Sequence, residues 1–229
     1  MKVLVDADTL AYRVAYSKEV SDPESAMQKV DEEVSRIKEA VNPYLDDNDY
    51  KFYLTGKGNF RFDYDATYKG NRKGEKPLLL PVARERFIDR HGATVTEGQE
   101  ADDAISIEAH KYDWQDIIVV SIDKDFRQTP CQLFNPGRLT WEGIDPWSAK
   151  VNFYEQLLVG DRVDNVIGVH KVGPITAKKM LEGARSEQEM WAICAEAYKD
   201  YDRAVSNARM LHLRTFEGEI WCPPNTTNT

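Results

Sequence analysis

At 229 residues, 41% of them hydrophobic, the chain is long enough for one substantial core with a small helical appendage. Its three cysteines, Cys131, Cys194 and Cys222, are odd in number and far apart, which excludes a disulfide framework and a paired-thiolate zinc site and points to a reducing compartment. The net charge of −9 argues against a nucleic-acid partner until its distribution is read. Residues 51–90 carry ten Lys/Arg against five Asp/Glu, a local +5, and residues 160–185 carry five against three, a local +2. Two basic islands on an acidic body suit a phosphate-binding face, because counter-ion release depends on local charge; ordinary solvated helix faces are the competing explanation.

No stretch approaches the roughly 18 apolar residues of a membrane span. The opening Met1-Lys2-Val3-Leu4-Val5 meets Asp6 too soon for a signal peptide, so a soluble intracellular chain is expected. Val3-Leu4-Val5 predicts a short buried strand. Asp22-Pro23-Glu24 supplies an N-cap, a proline at the first helical position and an acidic first turn for a helix running to Val41. Phe52-Tyr53-Leu54 predicts a second strand, followed by a loop over residues 56–76, a helix over 78–90 and an edge strand over 93–95. A helix over 100–111 precedes Ile117-Ile118-Val119-Val120, an apolar strand of the kind buried on both faces. The alternation predicts an α/β fold with a parallel sheet. Residues 187–197 and 203–213 predict two amphipathic helices, and Gly218-Glu219-Ile220-Trp221 a short returning strand before a loose Pro-Asn-Thr tail.

Three acidic clusters stand out: Glu100 with Asp102 and Asp103, Asp123 with Asp125, and Asp161 with Asp164. Like charges are costly to gather without a cation, and an all-carboxylate set suits Mg²⁺, with Mn²⁺ able to substitute. Two such ions about 4 Å apart can clamp the attacking and leaving oxygens of a phosphoryl displacement, so phosphodiester hydrolysis is the expected reaction. Asp6 and Asp8 follow the first strand and Asp123 and Asp125 the fourth, which places both pairs beyond the carboxyl ends of a parallel sheet. Simple helix capping is the alternative for Glu100 and Asp102, but it leaves the pairs after two separate strands unexplained.

Gly160-Asp161-Arg162-Val163-Asp164-Asn165 leads through Gly168 to Gly173-Pro174, where a short helix over 175–181 carries Thr176, Lys178 and Lys179. Glycines that expose backbone amides, followed by a proline-started helix, bind a DNA backbone without reading its sequence.

In this order the motifs resemble the 5′ nuclease superfamily, which includes flap endonucleases, phage 5′→3′ exonucleases and the nuclease domain of bacterial DNA polymerase I. The matching residues are Val5-Asp6, Tyr68-Lys69-Gly70-Asn71-Arg72, Glu100-Ala101-Asp102-Asp103, Ser121-Ile122-Asp123-Lys124-Asp125-Phe126, Gly160-Asp161 with Asp164-Asn165, and the Gly168 to Gly173-Pro174 hairpin, over roughly residues 1–185. The resemblance implies a PIN-like parallel-sheet core over residues 1–145 with a helical arch at about 72–98. It implies a helical subdomain over 146–229 with a helix-hairpin (helix–three-turn–helix) motif at about 160–182. It implies that Asp6, Glu100 and Asp102 surround a first metal and that Asp123, Asp125, Asp161 and Asp164 hold a second, with Asp8 and Asp103 among the metal carboxylates, Asp103 behind the others. Lys69 and Arg72 would act on the scissile phosphate beside Asp6 and Asp102. DNA would meet Tyr68, Lys69, Arg72, Lys73, Gly168, Val169, Lys171, Gly173, Thr176, Lys178 and Lys179, with K⁺ held by hairpin carbonyls.

The implied activity is a structure-selective 5′ nuclease, acting as a monomer on DNA 5′ ends or flaps and on RNA–DNA primers, in replication, in a bacterial or phage-infected cell. One departure is Gly56, where many relatives carry an acidic residue at the end of the second strand; Asp8 is the candidate to compensate. Two other classes are weighed. A catalytically weakened DNA-structure binder draws on Gly56, and Asp6-Ala7-Asp8-Thr9 resembles the nucleophile motif of haloacid-dehalogenase-like phosphatases with Thr9 one place too early. Trp141, Trp147, Trp191 and Trp221 are expected in packing, and Tyr12, Arg13 and Tyr16 near the crevice.

Overall fold

A computed structural model describes residues 1–42, 44–72 and 74–224. Lys73, expected at the DNA face, and tail residues 225–229 lie outside the described residues. In chain order the elements are β1 (Lys2–Asp6), α1 (Ala7–Ala15), α2 (Pro23–Val41), β2 (Tyr50–Thr55), α3 (Leu80–His91), β3 (Thr94–Thr96), α4 (Ala101–Ala109), β4 (Ile117–Val120), β5 (Cys131–Asn135), β6 (Thr140–Ile144), α5 (Pro146–Val159), β7 (Gly160–Asp161), β8 (Val166–Ile167), α6 (Pro174–Leu181), α7 (Glu187–Tyr198) and α8 (Tyr201–Leu211). The main sheet runs β3-β2-β1-β4-β5-β6, parallel throughout except for the last pair.

The expected α/β class is what the chain adopts, and local chemistry explains where elements begin. The Asp22 carboxylate accepts from the Ser25 amide at 2.8 Å, closing a capping box ahead of α2. Asp145 caps α5 through the amides of Trp147 and Ser148 at 2.8 and 3.0 Å, with Pro146 in the first turn. β1 and β4 lie at the centre of the sheet, so their Val, Leu and Ile runs are buried on both faces. Helices α1, α2 and α3 cover one face through Leu10, Val34, Ile37 and Phe87. On the other, Ile105 of α4 joins Leu4, Val119 and Phe126. A further cluster, with Leu157, Met190, Trp191, Met210 and Trp221, binds α5 to α8 together.

The structure corrects several local expectations. β5, β6 and α5 are not among the elements expected from the sequence, and residues 218–221 form no strand. β6 lies at the sheet edge with Thr140, Trp141, Glu142 and Gly143 all exposed, so it has no hydrophobic alternation to read. Around 218–221 the carbonyls are held by guanidinium groups instead of a partner strand: Arg214 Nε donates to Glu219 O at 2.9 Å and Arg209 Nε to Trp221 O at 3.3 Å. Trp191 and Trp221 are buried as expected, whereas Trp141 and Trp147 stay 48% and 43% exposed.

Candidate active site

The carboxyl ends of β1, β2 and β4 open onto a crevice of about 910 Å³. Asp6 ends β1 and caps α1, accepting from the Thr9 amide at 3.1 Å and from Ser121 Oγ, at the end of β4, at 2.7 Å. Glu100 precedes α4 and Asp102 lies in its first turn, while Asp123 caps the short turn after β4. Asp6, Asp8, Glu100, Asp102 and Asp123 thus line one wall, and Lys69, Arg72 and Arg84 line the rest with Tyr12, Arg13 and Tyr16.

The other acids sit at the crevice's side. Tyr68 Oη lies 3.0 Å from both a Glu100 and an Asp164 oxygen, which ties the third cluster to the first. Lys124 Nζ donates to Asp161 at 2.7 Å and lies 3.9 Å from Asp125, while Gln156 Nε2 donates to Asp125 at 2.9 Å. Lys69 pairs with Glu100, and Arg72 meets Asp164 at 2.5 Å.

Burial drives the Asp6 carboxyl up to about 6, with nearby Asp8 adding to the rise and the Ser121 hydrogen bond opposing it. Asp102 is raised well above the carboxylate range by burial and then by Asp6, Asp123 and Glu100. Asp125 rises to about 7 through burial and Asp123. Burial pushes hardest on Asp161, but the Lys124 hydrogen bond, the Lys124 charge and the Val163 and Asp164 amides together outweigh it and leave the carboxyl below its usual value. These groups belong together only when compensated by positive charge. Among the described residues no three Asp, Glu, His or Cys side chains are already gathered at ligating distance, and Lys69, Arg72, Arg84 and Lys124 hold Glu100, Asp164, Asp8 and Asp161.

Two expected site residues need correction. Asp103 is fully buried, with both its oxygens taken by Arg61 at 2.6 and 2.8 Å and one also accepting from the Glu100 amide, so it stands behind the crevice carboxylates and is no direct metal ligand. Tyr68 is 4% exposed beneath Phe62, with its hydroxyl between two carboxylates, so it supports the acidic wall instead of meeting DNA.

Gly56 has a packing cause. A Cβ there would lie 2.1 Å from Thr96 O and 2.8 Å from Val95 Cγ1, so the approach of β3 admits only glycine. Asp8 reaches the same strand end, accepting from the Thr55 amide at 2.7 Å while pairing with Arg84.

The hairpin forms because Gly160 and Gly168 let two backbone segments touch. A Cβ on Gly168 would sit 2.3 Å from the Val159 carbonyl carbon, and β7 pairs antiparallel with β8 beside it. Lys171, Thr176, Lys178 and Lys179 are exposed around Gly173, the N-cap of α6. The Val169 amide is turned inward, donating to Leu158 O at 2.8 Å, so it is no phosphate donor. Sequence reading missed Arg61, Arg84, Lys124 and Ser121. Ser121 adjoins Asp123 after an apolar strand and offered a signal; a buried arginine between Phe60 and Phe62 offered none.

No family model matches the chain. Over 142 residues, 54% of this chain, it is 32% identical to a DNA polymerase I of Rhizobium leguminosarum, of which the match spans 14%. Over 158 residues, 61% of this chain, it is 31% identical to a 5′-3′ exonuclease of Aquifex aeolicus, of which it spans 53%. The chain therefore spans about half the length of that exonuclease and less of the polymerase. A solved T5 5′-exonuclease with bound zinc superposes with a TM-score of 0.67 at 17% identity, covering 93% of this chain and 90% of that one. The chain has the fold of that 5′-exonuclease. The catalytic core of Rad2 in complex with DNA substrate shares it at a TM-score of 0.52 and 15% identity, over 96% of this chain and 79% of that one. Together with the sequence matches, this bears out the resemblance read from the ordered motifs. No helix among the described residues is long and apolar enough to cross a membrane.

Proposed function

We propose that the chain is a Mg²⁺-dependent, structure-selective 5′ nuclease that hydrolyses DNA phosphodiesters near 5′ ends or flaps, in replication or primer removal. The observation that carries this is the convergence of Asp6, Glu100, Asp102 and Asp123, from separate elements, in one crevice that also contains Lys69 and Arg72. Relatives that carry the names 5′-3′ exonuclease and DNA polymerase I support the same reaction class.

The donor set fits the ion: every candidate ligand is a carboxylate oxygen, and Asp6, Asp102 and Asp125 are held above their usual values by burial and like charge, a cost that a divalent cation offsets. Asp6, Glu100 and Asp102 would hold one ion, and Asp123, Asp125, Asp161 and Asp164 a second, directly or through water. Bound metal supplies a water acidic enough to attack at neutral pH and charge stabilisation for the oxygens of an in-line displacement. Lys69 and Arg72, now paired with Glu100 and Asp164, exchange those partners for the scissile phosphate and stabilise its growing charge. Arg84 lines the same crevice from α3; α3 and β3, which the resemblance placed in the arch, instead pack on and within the main sheet through Leu80, Ala83, Phe87 and the β2–β3 pairing. Lys171, Lys178 and Lys179 grip the duplex backbone through charge, and Tyr16, stacked on Tyr12 with ring centroids 6.3 Å apart, offers a face for a terminal base.

Gly56 does not favour a non-catalytic binder, because Asp8 supplies a carboxylate at that strand end. Substitution of Mn²⁺, K⁺ at the hairpin, RNA–DNA primers as further substrates, a monomeric state and a bacterial or phage-infected cytoplasm belong to the same proposal. Cleavage of a 5′-labelled flap duplex in Mg²⁺ and in EDTA tests it, with a blunt duplex and a single strand as controls. Short 5′ products are expected only with Mg²⁺; flap-selective binding without products would sink catalysis.

A further inference from the structure

Arg61, 1% exposed in the short segment after β2, is a buried charge with every guanidinium nitrogen hydrogen-bonded. Its guanidinium forks onto Asp103 at 2.6 and 2.8 Å, while Nε donates to Met210 O at 2.7 Å and Nη2 to His212 O at 2.8 Å. Asp103 accepts in turn from the Glu100 amide at 3.2 Å and the Arg214 amide at 3.2 Å. One buried pair therefore joins the start of α4, which carries Glu100 and Asp102, to the chain leaving α8. The same helix α8 also holds the hairpin: Asn207 Nδ2 donates to Ile167 O at 2.8 Å and Arg203 Nη2 reaches the same carbonyl at 3.4 Å.

A buried ion pair adds little stability over apolar side chains of similar volume, so stability alone does not explain this one. The geometry explains it better. Two parallel bonds and two carbonyl bonds set the orientation of a planar fork, which a lysine ammonium cannot reproduce. Arg61 Nη1 is also 3.5 Å from Glu100 Oε2, a cation behind the acidic wall that, unlike Lys69, has no route to substrate.

We propose that Arg61 is a positioning residue of the acidic centre: through Asp103 it fixes the first turn of α4, and through α8 it couples that turn to the duplex-gripping hairpin. The proposal rests on the nuclease reading above. Two variants of the full chain test it, Arg61→Lys and the apolar pair Arg61→Met with Asp103→Leu, each followed by thermal unfolding, duplex affinity in EDTA, Mn²⁺ affinity by electron paramagnetic resonance, and single-turnover cleavage. The apolar pair removes the buried charges together but leaves Met210 O, His212 O and the Glu100 and Arg214 amides without these partners, so it is expected to unfold at a lower temperature than the wild type while staying folded under assay conditions and binding duplex like the wild type. Its cleavage rate and Mn²⁺ affinity are expected to fall, the rate on the order of 10²-fold, the scale of an ångström-level misplacement. Arg61→Lys is expected not to rescue the rate, because charge without the fork does not set the turn. Wild-type rate and Mn²⁺ affinity in either folded variant would overturn the proposal, as would failure of both variants to fold, which would make the role purely structural. A wild-type chain that cleaves nothing counts against the nuclease reading, while Mn²⁺ affinity still judges Arg61.

Discussion

Asp102 is the residue on which the site's electrostatics turn, because it lies half-buried in the crevice among Asp6, Asp123 and Glu100 with Lys69 as the opposing charge. Replacing it, or Asp123, with Asn removes an oxygen of the proposed metal site and also a repulsion. Both variants are expected to lose cleavage while binding duplex as tightly as the wild type or more so; near-wild-type rates in both would refute the metal assignment. In the proposed mechanism Lys69 contributes only when a phosphate replaces Glu100, so Lys69→Ala should slow single-turnover cleavage by roughly 10²–10³, the usual cost of removing one transition-state interaction. At this scale the acids and Lys69 were legible as residue types at particular spacings. Which oxygens were free was not: Asp103 looked like its neighbours in sequence, and only the partner brought from Arg61 removes it from the site.

Elements decide why the second strand is followed by glycine and which charges the hairpin offers the proposed DNA. β3 lies so close to Gly56 that an added carboxylate would strike backbone, which a rotamer change cannot relieve. Gly56→Asp, which restores the acidic position of many relatives, should therefore destabilise the fold by about 1–3 kcal/mol, the range for overpacking, as read by chemical denaturation. Unchanged stability would mean that β3 yields. On the hairpin, Lys178 and Lys179 project from α6 into solvent. Replacing both with Ala should weaken duplex binding and reduce the slope of log affinity against log salt by about one to two, one for each phosphate no longer neutralised. α2 and β4 were legible because their caps and apolar periods are local, whereas β6 was not, since its pairing with β5 is all that makes it a strand.

The whole molecule stores a charge imbalance that pH should reveal. Asp6, Asp102 and Asp125 are raised in the folded state, Asp6 to about 6 and Asp125 to about 7, so above about pH 4 the folded chain binds more protons than the unfolded one. Their contribution to stability then falls as pH rises. His91, lowered by burial, works the other way near pH 6, and the lowered carboxyls such as Asp31 and Glu219, the latter at about 2, have already made their contribution by about pH 5. The unfolding temperature in EDTA should thus drop between about pH 5 and pH 7.5, less so in Asp102→Asn, and Mg²⁺ should recover it at the higher pH. A temperature that rises over that range in EDTA, equally in wild type and variant, would contradict this distribution of charge. Residue order alone determined the α/β alternation, the acids beyond strand ends and the glycine-proline hairpin, since these follow from local propensity and spacing along one chain. Only the tertiary structure decided which carboxylates share a crevice, that Gly56 is imposed by an edge strand, and that Arg61 joins residues 103 and 212, because those contacts bring together positions whose separation in sequence has no bearing on their distance in space.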